Sequence, residues 1–170
     1  MLIRQARHED IKTILSIVRS AQLSLCELGI DQWQDGYPSE EVIAQDIANG
    51  VGYVACSVEG EVVGYGAVVL TGEEAYTQIA DGDWHTSNSY VVVHRLCVAG
   101  AVRRHGVAIE LMQFAGDFAI QHGINDFRID THEGNIRMLA MLNKLGFEHV
   151  GTIRYESGLR EAFDMKLNKK

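Results

Sequence analysis

A short basic segment between a predicted strand and a predicted helix carries the residues best suited to chemistry. Arg103, Arg104 and Gly106 follow the strand Tyr90–Val98 and open a long amphipathic segment, residues 106–122. The unpaired N–H groups and the macrodipole at a helix start attract anions, and a glycine lets a phosphate approach the backbone. The two arginines add positive charge. The pattern predicts an anion site, and an arginine-rich turn that merely caps a helix is the alternative.

Two common nucleotide-binding loops are excluded at this turn. A dinucleotide loop needs Gly-x-Gly-x-x-Gly and a P-loop needs Gly-x-x-x-x-Gly-Lys-Ser/Thr, and neither pattern occurs here. The chain of 170 residues is also acidic, because 15 Lys and Arg stand against 23 Asp and Glu, for a formal net charge of −8. Binding of nucleic acid through phosphates needs the opposite balance, so we expect no nucleic-acid partner.

The elements that must position this segment are strands and helices in alternation. Strands are predicted at residues 2–6, 53–58, 62–69, 90–98, 127–131, 147–154 and 161–167. Helices are predicted at residues 9–25, 40–48, 106–122 and 135–145, with a short helix at 75–79 inside a long loop, 71–89. Early hairpins followed by strands bridged by helices imply a mixed sheet covered on both faces. No linker-like tract occurs, which favours a single domain over residues 1–170.

The basic segment also resembles a family signature. Arg103-x-x-Gly106-x-Ala108 is similar to the Arg/Gln-x-x-Gly-x-Gly/Ala pattern of the GCN5-related N-acetyltransferase (GNAT) superfamily. Asn135 followed by Leu145-Gly146-Phe147 resembles the family's Asn-helix-Gly-Phe segment, and the element order matches over essentially the whole chain. The resemblance implies an α/β (α+β) fold with a mixed, mostly antiparallel sheet of six to seven strands, about four flanking helices, and an opening between the fourth and fifth strands.

The resemblance further implies acetyl-CoA as acyl-donor substrate, with no metal. In such enzymes a splayed strand runs beside pantetheine, backbone amides of the basic loop hold the pyrophosphate, and the asparagine bonds the pantetheine arm. The residues expected in these roles are Leu96, Cys97, Val98, Arg103, Arg104, His105, Gly106, Val107, Ala108 and Asn135. For Asn135, a helix N-cap is a compatible alternative. The implied activity is acetyl transfer to an amine by direct attack on the thioester.

His94 is the candidate general base, because some members of the family carry a catalytic histidine or glutamate in this strand. An unperturbed histidine, of pKa ~6.5, suits removal of a proton from an alkylammonium near neutrality. His85 and His132 are weaker candidates, and a histidine that only packs in a strand is the alternative. Strict strand alternation would place the His94, Leu96 and Val98 side chains on one face.

The chain departs from the family at the position of the usual general acid. Many members place a tyrosine seven residues after the asparagine, and that position is Leu142 here. Tyr155 or Tyr90 could protonate the departing thiolate, or the thiolate could leave unassisted, since a thiol of pKa ~8.5 is a tolerable leaving group. Loss of this group makes a non-catalytic acyl-CoA-binding or regulatory domain the competing hypothesis.

Aromatic and acidic side chains in two irregular segments, 29–37 and 71–89, are the candidates for the acceptor site. They are Trp33, Tyr37 and Trp84, with Asp31, Asp35, Glu73, Glu74, Asp81 and Asp83. Rings and carboxylates together bind cations, so the expected partner is an amine-bearing small molecule or peptide. Solvated acidic loops and tryptophans that anchor loops are the alternatives. A homodimer is allowed by the sequence without being indicated.

Three features bear on the cellular compartment. Cys26, Cys56 and Cys97 lie at unrelated spacings and are expected to be reduced, buried thiols. The first residues lack the pattern of a secretory signal, and no apolar run approaches the ~20 residues of a transmembrane helix. We therefore expect a cytoplasmic protein without a membrane partner.

Overall fold

The computed structural model describes residues 1–168 and contains the predicted elements in the predicted order. Its seven strands are β1 (Leu2–Gln5), β2 (Gly52–Cys56), β3 (Val62–Val69), β4 (Tyr90–Val98), β5 (Asp126–Thr131), β6 (Glu148–Tyr155) and β7 (Gly158–Lys166). Its four α-helices are α1 (Ile11–Glu27), α2 (Glu40–Ala48), α3 (Val107–Gln121) and α4 (Ile136–Leu145). A 3-10 turn, Glu74–Gln78, takes the place of the short helix expected at 75–79.

Local side chains fix several of these boundaries. Ser39 caps α2 by accepting a hydrogen bond from the Val42 N–H at 3.4 Å, as its position before the helix predicts. Gly146 ends α4 in the left-handed conformation, at φ +87°, which glycine adopts without a steric penalty. Helix limits of this kind depend on neighbours in sequence, so they could be predicted.

The strands form one mixed sheet in the order β1-β2-β3-β4-β5-β7-β6. Strand β4 runs parallel to β5, whereas β1–β2, β2–β3, β5–β7 and β6–β7 are antiparallel pairs. This arrangement confirms the predicted fold class. Contacts divide the chain into two compact units, residues 1–68 with 93–114, and residues 69–92 with the chain from 115 onward. Strand β4 contributes to both units, and the prediction of one domain over residues 1–170 stays a prediction.

In the first unit, both faces of the strands are covered. Successive side chains of β2 alternate between two apolar clusters, as the two-residue period of a strand requires. The first cluster joins α1 and α2 to the sheet and contains Ile14, Ile43, Val54, Cys56, Tyr65 and Cys97. The second cluster joins α3 to the opposite face and contains Ala55, Val63, Val107 and Leu111. A Cβ on Gly64 would lie 2.8 Å from Val107 Cγ1, so this glycine permits the close approach of α3 to β3.

In the second unit, β5 is the central strand of the described pairs. It pairs with β4 at Tyr90–Asp126 and with β7 along its whole length, for example at Ile129–Phe163. Tyr76, Val92, Ile153 and Ala162 form a buried cluster beside these strands. The cluster ties the 3-10 turn of the 71–89 loop to β4, β6 and β7.

The cysteine prediction is correct at two positions and wrong at the third. Cys56 and Cys97 are buried in the first unit, but Cys26 is exposed near the end of α1. Its place outside the buried stripe of the helix explains the exposure, since Ile11, Ile14, Ile17 and Val18 form that stripe. All three are free thiols.

His85 gives the second unit a pH-dependent contact. Its Nδ1 lies 2.7 Å from Asp164 Oδ1, and its backbone N–H donates to Asp164 Oδ2 at 2.9 Å. The Asp164 hydrogen bond and charge, with a smaller contribution from Glu148, raise the pKa of His85 above its ordinary value. The protonated ring therefore favours the folded state, and that contribution is lost as the pH rises through the raised pKa.

We predict that His85→Gln destabilises the protein more at about pH 5.5 than at about pH 8.5. Urea unfolding of wild type and variant at both values measures the difference. In an Asp164→Asn background the same substitution should lose most of its pH dependence, because the carboxylate that raises the pKa is gone. If His85→Gln, with Asp164 intact, lowered stability equally at both pH values, the contact between protonated His85 and Asp164 would be contradicted.

Candidate active site

The backbone between β4 and α3 forms a turn with two residues in the left-handed region. Arg104 has φ +70° and Gly106 has φ +84°, after a 3-10 turn at Gly100–Val102. The intrahelical ladder of α3 starts with the bond from the Glu110 N–H to the Gly106 carbonyl at 3.0 Å. The N–H groups of the first helical turn have no intrahelical acceptor, so the turn presents donors together with the positive end of the helix dipole.

Gly106 leaves open space at this turn. A Cβ on Gly106 would meet no atom within 4 Å. The positive φ explains why glycine suits the position, and the open space is what a ligand needs to reach the backbone donors. Both features agree with the predicted anion site.

The two arginines of the loop have different roles. Arg103 Nη2 donates to the Ser20 carbonyl at 2.9 Å and lies 3.2 Å from Ser20 Oγ, so it anchors the loop to α1. Arg104 and His105 are exposed. The Ser20 carbonyl and hydroxyl are neutral, so they leave the Arg103 charge uncompensated, and the supply of charge by both arginines stays a prediction.

Strand β4 does not keep strict alternation before this loop. Arg95 has φ +56°, a conformation that is rare for a residue other than glycine. A Cβ on Gly66 would lie 3.3 Å from Val93 Cγ1 and 3.6 Å from Leu96 Cδ1. Val93 and Leu96, three positions apart, thus lie on the same face of the sheet. In a regular strand, residues three apart point to opposite faces. We call residues 93–96 the β4 break.

The β4 break corrects the predicted orientation of His94. The alternation that was expected to group it with Leu96 and Val98 does not extend through Arg95. His94 is half-buried within the break. Its role as a base stays a prediction that rests on its place in the strand.

The side chains of residues 96–98 pack against two apolar clusters. Leu96 and Val98 contact the α3 cluster, and Cys97 is buried in the cluster of α1 and α2. Burial raises the pKa of the Cys97 thiol to about 12, so this thiol is not a nucleophile near neutrality. The resemblance implies that these residues contact a ligand through their backbone, and the packing of their side chains is compatible with that.

A buried ion pair that the sequence analysis missed lies beside the break. Arg95 Nε and Nη2 donate to the two Asp46 oxygens at 2.7 and 2.6 Å. The Tyr65 hydroxyl donates to Asp46 Oδ2 at 2.6 Å, and Arg95 Nη1 donates to the Tyr37 hydroxyl at 2.8 Å. One signal could have found it, since Asp46 interrupts the apolar positions Ile43 and Ile47 of α2 and a buried aspartate needs a cationic partner.

The two aromatic candidates in segment 29–37 lie in the first unit. Trp33 is partly buried against the cluster of α1 and α2, and Tyr37 is 38% exposed. Their ring centroids are 6.5 Å apart at an interplanar angle of 63°. Asp31 and Asp35 are exposed on the same segment, and Asp35 accepts a hydrogen bond from the Tyr37 N–H at 3.2 Å.

Trp84 is engaged within the second unit, and its acceptor role stays a prediction. Its Nε1 donates to the Tyr76 carbonyl at 2.8 Å, and its ring packs 5.0 Å from Tyr76. The Arg128 guanidinium lies 4.5 Å from the Trp84 centroid and 4.0 Å from the Tyr90 centroid. Trp84 therefore anchors the 71–89 loop within the second unit, which was the alternative reading.

Two acidic candidates of the same loop are also used locally. Glu73 caps the 3-10 turn by accepting from the Ala75 N–H at 3.2 Å. Asp81 accepts from the Thr152 hydroxyl at 2.8 Å. Glu74 and Asp83 are exposed. These contacts stabilise the loop and weaken its case as an acceptor site.

Asn135 caps α4. Its Oδ1 accepts from the Met138 N–H at 3.3 Å, and His132 Nδ1 accepts from the Gly134 N–H at 2.9 Å just before it. The capping reading is thus confirmed. The expected bond from Asn135 to pantetheine is compatible with the cap, because a side-chain amide both donates and accepts.

Both tyrosines considered as general acid, Tyr155 and Tyr90, are engaged within the second unit. Leu142, at the position of the family's usual tyrosine, is fully buried. The Tyr155 and Tyr76 hydroxyls both donate to Asp130 Oδ2, at 3.0 and 2.7 Å, and burial together with this carboxylate raises the pKa of each tyrosine. The Tyr90 hydroxyl accepts from the Glu73 N–H at 3.0 Å. A tyrosine with a raised pKa is a weaker acid, so these contacts do not favour Tyr155 as proton donor.

Two further properties of residues 1–168 bear on the site. They include no cluster of three or more His, Cys, Asp or Glu side chains arranged to hold a metal ion. No helix in this part of the chain combines the length and the apolar character needed to cross a membrane.

Comparison with known sequences identifies the family to which this fold belongs. Residues 17–147 match the family described as "Acetyltransferase (GNAT) family", and the chain belongs to that family. It is 34% identical over 71 residues to GCN5-related N-acetyltransferase 6, chloroplastic, of Arabidopsis thaliana. That match covers 42% of this chain and 25% of the plant protein, so the chain spans only part of that relative.

Solved structures agree with the family assignment. A GNAT-family acetyltransferase of Streptococcus agalactiae superposes with a TM-score of 0.89 at 35% identity, covering 99% of this chain and 96% of that one. A phosphinothricin acetyltransferase of Sinorhizobium meliloti, solved with AcCoA, gives a TM-score of 0.71 at 16% identity, covering 98% and 88%. The second likeness concerns the fold alone.

The burial of Leu142 predicts the outcome of restoring the family's tyrosine. Leu142→Tyr should lower the free energy of unfolding by about 1–3 kcal/mol, because a larger side chain overpacks a filled site. Urea denaturation measures this loss. Ile136→Tyr, on the same helix at a side chain that is 63% exposed, is the control and should shift stability by less than about 0.5 kcal/mol. Equal, small effects at both positions would contradict the packing assigned to Leu142.

Proposed function

We propose that this protein is an acetyl-CoA-dependent N-acetyltransferase that moves an acetyl group to an amine of a small molecule or peptide. The observation that carries the proposal is the β4–α3 turn, where Arg104 and Gly106 have positive φ beside the open start of α3. Backbone donors at a helix start, an exposed arginine and unfilled space are the properties that a pyrophosphate requires.

The same turn and the strand before it bind the pyrophosphate and the pantetheine of acetyl-CoA. The backbone N–H groups of Arg104, Gly106, Val107 and Ala108 hold the pyrophosphate, since those of Arg103 and His105 donate to the Gly100 and Val102 carbonyls. The backbone of Leu96, Cys97 and Val98 bonds the pantetheine like an added strand. The family resemblance adds Asn135 as the residue expected to bond the pantetheine. The burial of the Cys97 side chain and the packing of Leu96 against the α3 cluster support this division, because both side chains are engaged by apolar contacts.

The reaction is direct transfer. The neutral amine nitrogen attacks the thioester carbonyl carbon, a C–N bond forms, the C–S bond breaks, and CoA leaves as the thiolate. The amine loses one proton, which His94 accepts directly or through water. The thiolate leaves without a tyrosine donor, since Leu142 is buried and a thiolate is a tolerable leaving group.

The acceptor binds beside Trp33 and Tyr37. Exposed Asp31 and Asp35 on the same segment favour a cationic amine, and ring faces add to its binding. Added salt should then raise the acceptor KM, because exposed charge pairs are screened. Trp84 is left out of this site because its indole is engaged by Tyr76 and Arg128.

The buried Leu142 also favours a second candidate, a non-catalytic acyl-CoA-binding domain. A thiol-release assay with acetyl-CoA across amines, polyamines, aminoglycosides and peptides separates the two. Turnover with a cationic amine supports the transferase. CoA binding without release across the panel would replace it with the binding domain, and a preference for neutral or anionic acceptors would reject the acceptor site.

Gly106→Val should weaken CoA binding sharply. The added side chain fills the open space at the turn and holds the phosphate away from the backbone donors, for a loss of about tenfold or more in affinity. Calorimetric titration with CoA measures it. Gly60→Val is the matched control, because Gly60 has φ +86° with no atom within 4 Å of an added Cβ and lies in the β2–β3 hairpin. It imposes the same backbone strain, so an equal change in CoA affinity in both variants would reject the site.

His94→Ala should lower turnover by about 10²–10⁴-fold near neutral pH, the usual contribution of a general base. The variant should recover rate as the pH rises, because more of the amine is then neutral, while CoA affinity stays nearly constant. Steady-state kinetics over a pH series test this, with His122→Ala at the exposed end of α3 as control. Wild-type turnover and pH profile in His94→Ala would show that His94 only packs in its strand.

A further inference from the structure

The ion pair between Arg95 and Asp46 is hydrogen-bonded to two tyrosines, Tyr65 and Tyr37. Their side chains are 13% and 8% exposed, so both charges are largely removed from water. Such a pair repays its desolvation only when its remaining donors and acceptors are also bonded. Asp46 is satisfied by two Arg95 nitrogens and the Tyr65 hydroxyl. The third guanidinium nitrogen of Arg95, Nη1, donates to the Tyr37 hydroxyl.

Tyr37 is held at three points. Its hydroxyl accepts from Arg95 Nη1 at 2.8 Å, its carbonyl accepts from Gln22 Nε2 at 2.9 Å, and its N–H donates to Asp35. The ring is nonetheless 38% exposed. An exposed ring with a fixed hydroxyl suits a surface that contacts a ligand, because its orientation is set before binding.

Arg95 itself is fixed by the strand that leads to the cofactor loop. Its φ of +56° is held in place by the bidentate bond to Asp46. Leu96, Cys97 and Val98 follow directly, and Tyr37 is the contact on the other side of the guanidinium. One side chain thus connects the strand of the acyl donor to the segment of the acceptor.

We propose that Arg95 is a positioning residue that sets the orientation of the Trp33–Tyr37 pair and thereby the affinity for the amine acceptor. The inference rests on the proposed function for its substrate and on the first unit alone for its geometry. Arg95 acts through Tyr37, without contact with the reacting atoms.

The experiment compares Arg95→Gln with Arg4→Gln. Arg4 forms an equivalent bidentate pair with Asp10, at 2.8 and 2.9 Å, in the same unit and without a bond to Tyr37. Arg95→Gln should raise the acceptor KM about tenfold, because Tyr37 must then be ordered on binding, and should weaken CoA binding by clearly less than that. Arg4→Gln should lower stability while both constants stay unchanged.

A spectroscopic arm is independent of turnover. In a Trp84→Phe background Trp33 is the remaining tryptophan, since the chain has two. Arg95→Gln should shift the Trp33 emission to longer wavelength and increase its quenching by acrylamide, whereas Arg4→Gln should change neither. If wild type transfers no acetyl group, the proposed function fails, and this arm still decides whether Arg95 positions the pair.

Tyr37→Phe covers the case in which Arg95→Gln does not fold. It removes one hydroxyl from an exposed ring, and it should raise the acceptor KM and move the Trp33 emission in the same direction. Combined with Arg95→Gln, the two effects should be clearly less than additive. Additive effects, a KM change no larger than that of Arg4→Gln, or a parallel loss of CoA affinity would overturn the proposal.

Discussion

The left-handed conformation of Arg95 within β4 is the constraint on which the rest of the first unit depends. A regular strand would send Val93 and Leu96 to opposite faces, but both lie near Gly66. The shift places Leu96 and Val98 against α3 and leaves Arg95 and Cys97 toward α1 and α2. The backbone that leads into the β4–α3 turn therefore depends on Arg95, which has the left-handed conformation that is rare for residues other than glycine.

The buried pair with Asp46 explains how this conformation persists. A bidentate guanidinium–carboxylate contact has a defined geometry, so it selects one backbone arrangement among those that pack equally well. Replacing such pairs by apolar residues often costs little stability, whereas removing one partner leaves a buried, unpaired charge and is strongly destabilising. In this protein the same carboxylate also binds Tyr65, which joins α2, β3 and β4 through one side chain.

In the second unit, most of the buried polar contacts fix the long 71–89 loop. Tyr76 and Tyr155 share the Asp130 carboxylate, Trp84 and Tyr90 stack with Arg128, and His85 is fixed by Asp164. Trp84, Tyr90, Tyr155 and His85, which the sequence offered as candidates for catalysis or binding, take part in these contacts. With Leu142 buried as well, the reaction chemistry we propose depends on the backbone of the turn and on His94.

The sequence determined the local features of this protein. Strand and helix order, the Ser39 and Asn135 caps, and the glycine at the basic turn all follow from periodicity or from neighbours a few residues apart. Only the tertiary structure decided the partners of Arg95, Arg103 and Trp84. Arg95 and Asp46 are 49 positions apart, and no periodic pattern encodes which distant side chain completes a buried charge. Such pairings depend on strand register and on a single break in alternation, and a local pattern of hydrophobicity contains neither.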